Sequence, residues 1–348
     1  MAAQQKKKVF PVQSELYAYL RDYNHCRYLP VQYEDLCHFQ DALPVYDKND
    51  DDTLWRTAIY PQADFDKISA GLCKVYSQLK SNNIVIADYL EVERIDFCTF
   101  ANSSPFRVRI RNRYNDNCDH FYVKRTDASR IYGLEFENLL CPTPINYFVY
   151  NNTLIEEHII GIPGDIFMEE HIHKPEINPV RLAKEFAKFV ERCFCRLLGD
   201  MRSYNYVISI TPDIEDSQYR VRAIDFDQQA YEGDKLLYFP EFFKENKKIV
   251  ELSMSVLEPK TIQQYQIEER ALISRRLRFT GKQFKRLLSI LTKDEISTPE
   301  KTEQLKRELA AFHKNTDFLK CSTMGEVIRQ NLRVQLTKGH EITLPIEF

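Results

Sequence analysis

The spacing of an aspartate, an asparagine and a second aspartate constrains this chain more than any other feature. Asp200 and Asn205 lie on one short loop, so both side chains can face the same small volume. The segments on either side of the polar turn 211–218 alternate as β-strands do. Because a hairpin brings its ends together, we expect Asp225, which follows the second strand, to return beside Asn205.

These residue types suit metal-assisted chemistry at a hydroxyl group. Magnesium prefers hard oxygen ligands and takes few of them from the protein, which makes Asn205 and Asp225 its predicted ligands. The remaining carboxylate, Asp200, is then predicted to accept the proton of an attacking hydroxyl.

The same residues resemble the motif of the protein-kinase-like superfamily, and most closely its aminoglycoside, choline and homoserine kinase branch. That branch reads His-Gly-Asp, four residues, Asn, a short hairpin and then Ile-Asp with an aromatic residue. This chain has Leu-Gly-Asp at 198–200, Asn205 and Ile-Asp-Phe at 224–226. Leu198 stands where the family has a histidine that orients the loop. The resemblance implies ATP and Mg²⁺ as cofactors and a small-molecule acceptor in preference to a protein.

The resemblance also implies a fold and a domain organisation. The expected fold is α+β and bilobal, with a small antiparallel-sheet lobe and a larger, mainly helical lobe. The small lobe is expected over residues 89–158 and the large lobe over 159–348. Residues 1–88 lie outside the resemblance and are predicted to form a helical extension, anchored onto the small lobe by Trp55.

A strand at 120–125 ends in a lysine that matches the phosphate-binding lysine of the family. We expect Lys124 to contact the nucleotide phosphates and an acidic residue of the following helix, 128–140, to hold it. Glu135 is preferred because the family places an apolar residue four positions on, although Glu137 stays open as the alternative.

The adenine is expected to bind at a hinge between the lobes. Residues 147–159 read as a hairpin with an Asn-Asn turn, followed by a Gly-x-Pro-Gly segment typical of the hinge exit. The resemblance implies backbone contacts to adenine from Glu157, His158 and Ile159. The glycine-rich loop of the family is missing, and residues 101–105 join the first two strands instead.

A helix is predicted to lead directly into the Asp200 loop. Asn178 and Pro179 form a good N-cap and first helical position, and apolar residues then recur at helical spacing. Gly199 is expected to end this helix one residue before Asp200.

Composition sets limits on partners and location. The net charge of the 348-residue chain is −3, so general nucleic-acid binding is not expected. Alternating arginines at 107, 109, 111 and 113 predict a solvated sheet face, with an anionic partner as the alternative. Nine cysteines without metal-type pairs, and the lack of a secretory or membrane-length apolar segment, favour a cytoplasmic protein without a membrane partner.

A second class of function remains open. A pseudokinase would use the same fold as a nucleotide-binding or interaction scaffold, and Leu198 with the missing glycine-rich loop favours it. The retained Asp200, Asn205 and Asp225 favour an enzyme, because a scaffold needs none of them. A third interpretation, transfer of AMP to protein, is singled out by no residue.

Overall fold

The computed structural model describes residues 7–81, 88–99, 101, 103–214 and 216–337. The chain divides into two compact units. The sheet unit comprises residues 1–127 and 145–158, and the helical unit comprises residues 128–144 and 159–348. Helix and antiparallel sheet are both abundant, so the predicted α+β class is confirmed.

The sheet unit is built on seven antiparallel strands. Its strands are β1 (Asp41–Tyr46), β2 (Asp52–Ile59), β3 (Leu90–Cys98), β4 (Phe106–Asn112), β5 (Cys118–Arg125), β6 (Tyr147–Tyr150) and β7 (Thr153–Glu157). Their order in the sheet is β1-β2-β3-β4-β5-β7-β6. The helices of this unit are α1 (Ser14–Asp22), α2 (Tyr33–Leu36) and α3 (Gln62–Ser81).

One face of the sheet supplies the core of this unit. Phe106, Val108 and Ile110 alternate along β4 and are buried with Phe121 and Val123 of β5. Side chains of a strand alternate between the two faces, so the residues between them line the opposite, polar face.

The arginines of β4 lie on that polar face and form ion pairs across the strands. Arg107 is 2.8 Å from Asp96, and Arg109 is 2.7 Å from Glu93. Arg111 pairs with Glu91, which also lies 2.9 Å from Arg113 just beyond the end of β4. These carboxylates neutralise much of the positive charge, which favours the solvated-face interpretation over an anionic partner.

The N-terminal extension is helical only in part. Helices α1 and α3 are present, but β1 and β2 also add an edge to the sheet, with Trp55 opposite Cys98 of β3. Residues 52–59 alternate and include Trp, Thr and Ile, which favour strands when a neighbouring strand is there to pair with. The residues on both sides of residue 88, the predicted boundary between the extension and the small lobe, therefore belong to one compact unit.

The helical unit contains a small antiparallel sheet and most of the helices. The main helices are α4 (Ala128–Leu140), α5 (Gly164–Ile166), α6 (Pro179–Arg196), α7 (Lys247–Val256), α8 (Pro259–Leu291), α9 (Pro299–His313) and α10 (Met324–Thr337). The strands β8 (Ile162–Pro163), β9 (Tyr206–Pro212) and β10 (Ser217–Ala223) are ordered β10-β9-β8. Among the described residues, no helix is long and apolar enough to cross a membrane.

Helix α6 begins as predicted and ends earlier than predicted. The Asn178 side chain accepts hydrogen bonds from the backbone N–H groups of Val180 and Arg181, which confirms the N-cap. The left-handed residue at the C-terminus is Leu197, with φ of 56°, and not Gly199. A Cβ at Gly199 would lie 3.3 Å from the backbone oxygens of Gln228 and Leu237, so glycine serves close backbone packing there.

Three helices form the C-terminal part of the described chain. Helix α8 is a single helix of 33 residues, and the N-cap of α9 is Thr298, whose side chain accepts a hydrogen bond from the N–H of Lys301. Helix α10 follows and is the last described element. The apolar stripe along α10 buries Val327, Ile328 and Leu332, which accounts for its helical conformation.

Candidate functional site

The predicted hairpin is present and brings the second aspartate back to the Asn205 loop. Strands β9 and β10 pair with Ala223 opposite Tyr206. One residue further on, the N–H of Ile224 donates to the backbone oxygen of Asn205 at 3.0 Å. The next residue, Asp225, is therefore held beside Asn205 by the hydrogen-bonding ladder of the hairpin.

Asp200 and Asn205 contact each other directly within their loop. The Asn205 side-chain Nδ2 donates to the backbone oxygen of Asp200 at 2.7 Å and lies 3.5 Å from its Oδ2. Asp200 adopts a left-handed conformation, with φ of 57°, which few non-glycine residues do without local support. Because Nδ2 is engaged with Asp200, Oδ1 is the amide atom that Asn205 can offer to a cation.

The Asp200 carboxylate forms an ion pair with the arginine two residues on. Arg202 Nε donates to Asp200 Oδ1 at 2.8 Å, and Arg202 Nη1 donates to Glu245 Oε1 at 2.8 Å. Burial raises the pKa of Asp200, and the hydrogen bond and charge of Arg202 act in the opposite direction. Arg202 thereby fixes the orientation of this carboxylate and favours its ionised form.

A buried arginine of α4 lies against the carboxylates that follow the hairpin. Arg130 Nη2 is 3.8 Å from Asp225 Oδ1 and pairs with Asp227 Oδ1 at hydrogen-bonding distance. The backbone N–H of Asp227 also donates to Asp225 Oδ1 at 3.1 Å. Sequence reasoning did not single out Arg130. The one feature that could have indicated its role is a basic residue within a helix that is otherwise buried.

Backbone contacts hold the Asp200 loop although its histidine position is a leucine. Leu198 forms an antiparallel β-bridge with Gln229, and Gly199 N–H donates to the backbone oxygen of Gln228 at 3.1 Å. The side-chain Nε2 of Gln229 donates to the backbone oxygen of Arg196 at 2.5 Å. The segment after Asp225 thus orients the loop without an imidazole.

A series of short 3-10 helices over residues 235–246 supports the loop from another side. The backbone N–H of Asp200 donates a hydrogen bond to the backbone oxygen of Leu237 at 3.0 Å. Asn246 donates from Nδ2 to the backbone oxygen of Met201 at 2.8 Å and accepts from the Tyr206 hydroxyl at 2.9 Å. Asn246 is fully buried, so these hydrogen bonds connect the loop rigidly to β9.

Glu241, in the same segment, is expected to make stability depend on pH. Burial raises the pKa of Glu241 from 4.5 to about 7, and the charge of Glu191 adds to the effect. The folded chain therefore binds the proton of the Glu241 carboxyl group more tightly than the unfolded chain does. The stability that this contributes is present at acidic pH and is lost as the pH rises from 4.5 to about 7. At about pH 8, the free energy of unfolding of Glu241→Gln should be higher than that of the wild type by about 2–3 kcal/mol.

Urea unfolding of both proteins at about pH 5 and about pH 8 tests this prediction, because the advantage of the glutamine should shrink at the lower pH. An advantage that is equal at both pH values would contradict it. Glu245→Gln serves as the matched control, since this neighbouring glutamate pairs with Arg202.

Lys124 lies in the sheet unit and has a carboxylate partner that sequence reasoning missed. Its Nζ is 2.5 Å from Glu156 Oε2, and both side chains are largely buried. Glu156 lies on β7, diagonal to Lys124 across the ladder, where long side chains can meet. The pattern of β7 gave no means of finding this pair before the register of β5 and β7 was known.

The acidic residues proposed for Lys124 both lie in the helical unit. Glu137 is 2.6 Å from Arg196 Nη1, so it is already the partner of a buried arginine. Glu135 is fully buried on α4. A pairing of Glu135 with Lys124 would join the two units and stays a prediction.

The predicted hinge residues lie where the chain passes from one unit to the other. The hairpin of β6 and β7, with its turn at 151–152, is confirmed. The backbone N–H of Glu157 donates a hydrogen bond to the backbone oxygen of Asn146 at 3.0 Å. The Glu157 carboxylate accepts a second hydrogen bond from the backbone N–H of Asn146 at 2.8 Å. His158 Nδ1 is 3.3 Å from the Tyr122 hydroxyl, and Ile159 is the first residue of the helical unit after the hairpin.

The site residues of the helical unit are therefore together. Asp200, Asn205 and Asp225 are connected by hydrogen bonds of one loop and one hairpin. Comparison with known proteins adds no relative: no family model matches the chain, and a search of the curated proteins finds no match.

Proposed function

We propose that this chain is an ATP- and Mg²⁺-dependent phosphotransferase of the small-molecule kinase type, which phosphorylates a hydroxyl group of a small acceptor in the cytoplasm. One observation carries the proposal. The hairpin returns Asp225 to Asn205, and Asn205 is hydrogen-bonded to Asp200. Two oxygen ligands and a separate carboxylate are the set that metal-assisted phosphoryl transfer requires of the protein.

The residues present fit a magnesium ion. Asn205 has its amide nitrogen engaged and its amide oxygen available, and the Asp225 side chain is about a third exposed. Magnesium takes one or two protein oxygens and keeps phosphate and water for its remaining positions. When bound, the ion would neutralise charge on the nucleotide phosphates.

Asp200 has the properties expected of the group that receives the acceptor proton. Arg202 fixes its carboxylate, and burial raises its pKa, which brings a carboxylate closer to the basicity that general-base catalysis needs. In this proposal Lys124 contacts the phosphates and Glu135 supports it, while the backbone of 157–159 holds the adenine. Most of the rate enhancement would then come from positioning and electrostatics.

The Arg130 contacts support a pseudokinase as the second candidate function. A guanidinium 3.8 Å from Asp225, and paired with Asp227, supplies positive charge from the protein itself where the enzyme would bind a metal. A fold that satisfies its own acidic residues in this way can serve as a nucleotide-binding or interaction scaffold without turnover.

Thermal unfolding with and without millimolar ATP and Mg²⁺ tests the proposal. A ligand that binds only the folded state raises the unfolding midpoint by mass action, so the wild type should gain a few degrees. Asp225→Ala should lose the part of the gain that depends on Mg²⁺. Asp213→Ala, at the exposed turn of the same hairpin, removes an aspartate away from the site and should retain the full gain.

The two candidate functions give different outcomes. A Mg²⁺-dependent gain that Asp225→Ala abolishes supports the enzyme and justifies a search for its acceptor. A gain from ATP alone, equal in Asp225→Ala, supports a nucleotide-binding scaffold. If neither protein shifts at millimolar ATP, the nucleotide site itself is disproved.

A further inference from the structure

A polar cavity lies within the helical unit. Its volume is about 220 Å³, and it is enclosed by the loop after α4, helix α6, strand β10 and helix α8. The hydrogen bonds of the Asp200 loop involve none of its lining side chains, so its polar residues call for a separate explanation.

Basic side chains outnumber acidic ones in this lining. The basic residues are Lys188, Arg192, Arg220, Arg222 and Arg276, and the acidic residues are Glu137, Glu185 and Glu269. Ion pairs with residues outside the lining engage one residue of each sign, and Lys188 Nζ lies 3.6 Å from Glu268 Oε2. Glu137 is engaged 2.6 Å from Arg196, an arginine outside the lining.

The one acidic residue on the α8 side is shared between two arginines. Arg192 Nη1 is 3.3 Å from Glu269 Oε1, and Arg276 Nη1 is 3.8 Å from the same oxygen. A single carboxylate cannot cancel two guanidinium charges, so Glu269 alone does not neutralise this side of the cavity, although the charges of Glu185 and Glu137 also act on Arg192.

The arginines of β10 contact neutral oxygens. Arg220 Nη1 donates to the Thr143 hydroxyl at 3.2 Å, and Arg222 Nη2 donates to the Thr143 backbone oxygen at 3.5 Å. The bond of Arg220 to the Thr143 hydroxyl orients its guanidinium group without neutralising it. Since Arg220 and Arg222 are two apart on a strand, both point to the same side of β10.

The floor of the cavity is rigid and its rim is open. Arg192 is buried and donates to the backbone oxygen of Val221 at 3.0 Å, and Arg276 donates to that of Leu140 at 2.8 Å. Arg220 and Gln218 at the rim are exposed. A ligand could therefore enter from solvent and meet guanidinium groups that the backbone already holds in place.

We propose that this cavity binds a small anion of the phosphate class, either inorganic phosphate or the phosphate group of a small phosphomonoester. Guanidinium groups match the tetrahedral oxygens of phosphate with paired hydrogen bonds, which ammonium groups cannot do. The volume is below the roughly 300–1,000 Å³ of pockets for drug-sized ligands, which favours a compact anion. The inference does not depend on the proposed phosphotransferase activity.

Because of the position of the cavity in the fold, an anion bound there could affect the Asp200 site. Strand β10 contributes Arg220 and Arg222 to the cavity and leads, after Ala223, into Asp225. An anion bridging β10 and α8 would hold the end of the hairpin in place. Asp225 would therefore be held more rigidly when the cavity is occupied.

Titration of the full chain with inorganic phosphate, measured by calorimetry at constant ionic strength and without nucleotide, tests the site. Saturable binding is expected in the wild type. Arg220→Gln should weaken it about tenfold, because a hydrogen bond to a charged group is lost. Arg307→Gln, which removes an exposed arginine of α9, should bind as the wild type does.

Glycerol phosphate, used as a second probe, distinguishes the two sources of the anion, and saturable binding of either probe supports the site. Phosphate also stabilises proteins by exclusion from their surface, but that effect is not saturable and would be equal in Arg220→Gln. Failure of both probes to bind saturably, or equal affinity in Arg220→Gln and the wild type, would overturn the proposal.

Discussion

Replacement of Glu137 by alanine is expected to lower the free energy of unfolding by about 3–5 kcal/mol. Glu137 Oε2 lies 2.6 Å from Arg196 Nη1, and both side chains are almost completely buried. Without the carboxylate, the guanidinium of Arg196 stays in the interior with no compensating charge from this residue. Because Arg196 is the last residue of α6, the destabilisation should reach the loop that carries Asp200.

Urea unfolding of the wild type and of Glu137→Ala measures this effect directly. The matched control is Glu303→Ala, which breaks surface pairs with Lys306 and Arg307 and should cost less than about 1 kcal/mol. Glu137→Leu combined with Arg196→Met removes both charges and should recover most of the lost stability. A loss in Glu137→Ala no larger than that in the control would contradict the buried-pair account.

The sequence-based predictions are accurate where the determining interactions are local in sequence, and less accurate where they join distant residues. Helix α4 has its predicted limits, and the β6–β7 hairpin has its predicted start and turn, although β7 ends at Glu157 and not at residue 159. A helical apolar pattern and a turn of two asparagines both act over a few residues. The β9–β10 hairpin, and with it the return of Asp225 to Asn205, was predictable for the same reason.

Features that depend on distant partners could not be predicted in this way. The strands β1 and β2 form because β3 lies beside β2, and their own residues do not exclude a helical extension. Glu156 becomes the partner of Lys124 only through the register of β5 with β7. Arg130 meets Asp225 and Asp227 across 95 and 97 residues of sequence, a distance at which no local pattern is informative.

Arg130 and Arg202 together explain how this chain can keep so many acidic groups in one region. Asp200 pairs with Arg202, and Asp227 pairs with Arg130. Three carboxylates of like charge near one another would otherwise repel and raise one another's pKa. These pairs leave Asp225 as the most exposed of the three carboxylates, at 38% of its side-chain surface, compared with 27% for Asp200 and 12% for Asp227. A cation from solvent would meet Asp225 first.

In the proposed phosphotransferase, Asp200→Asn is expected to reduce phosphoryl transfer by about 10²–10⁴-fold while leaving nucleotide binding intact, because an amide cannot serve as the base that receives the proton of the acceptor hydroxyl. The amide keeps the size of the side chain and one oxygen for the hydrogen bond from Arg202 Nε. The measurement is transfer of radiolabelled phosphate from ATP to a panel of small alcohols that includes an aminoglycoside, choline and homoserine.

Two controls separate loss of chemistry from loss of structure. Asp213→Asn makes the same chemical change at the exposed hairpin turn and should retain full turnover. Nucleotide-dependent thermal stabilisation of Asp200→Asn should match that of the wild type, since Asn205 and Asp225 are unchanged. Turnover that survives in Asp200→Asn would remove Asp200 from the chemistry. Nucleotide binding without turnover in the wild type, for every acceptor tested, would favour the pseudokinase that the Arg130 contacts suggest.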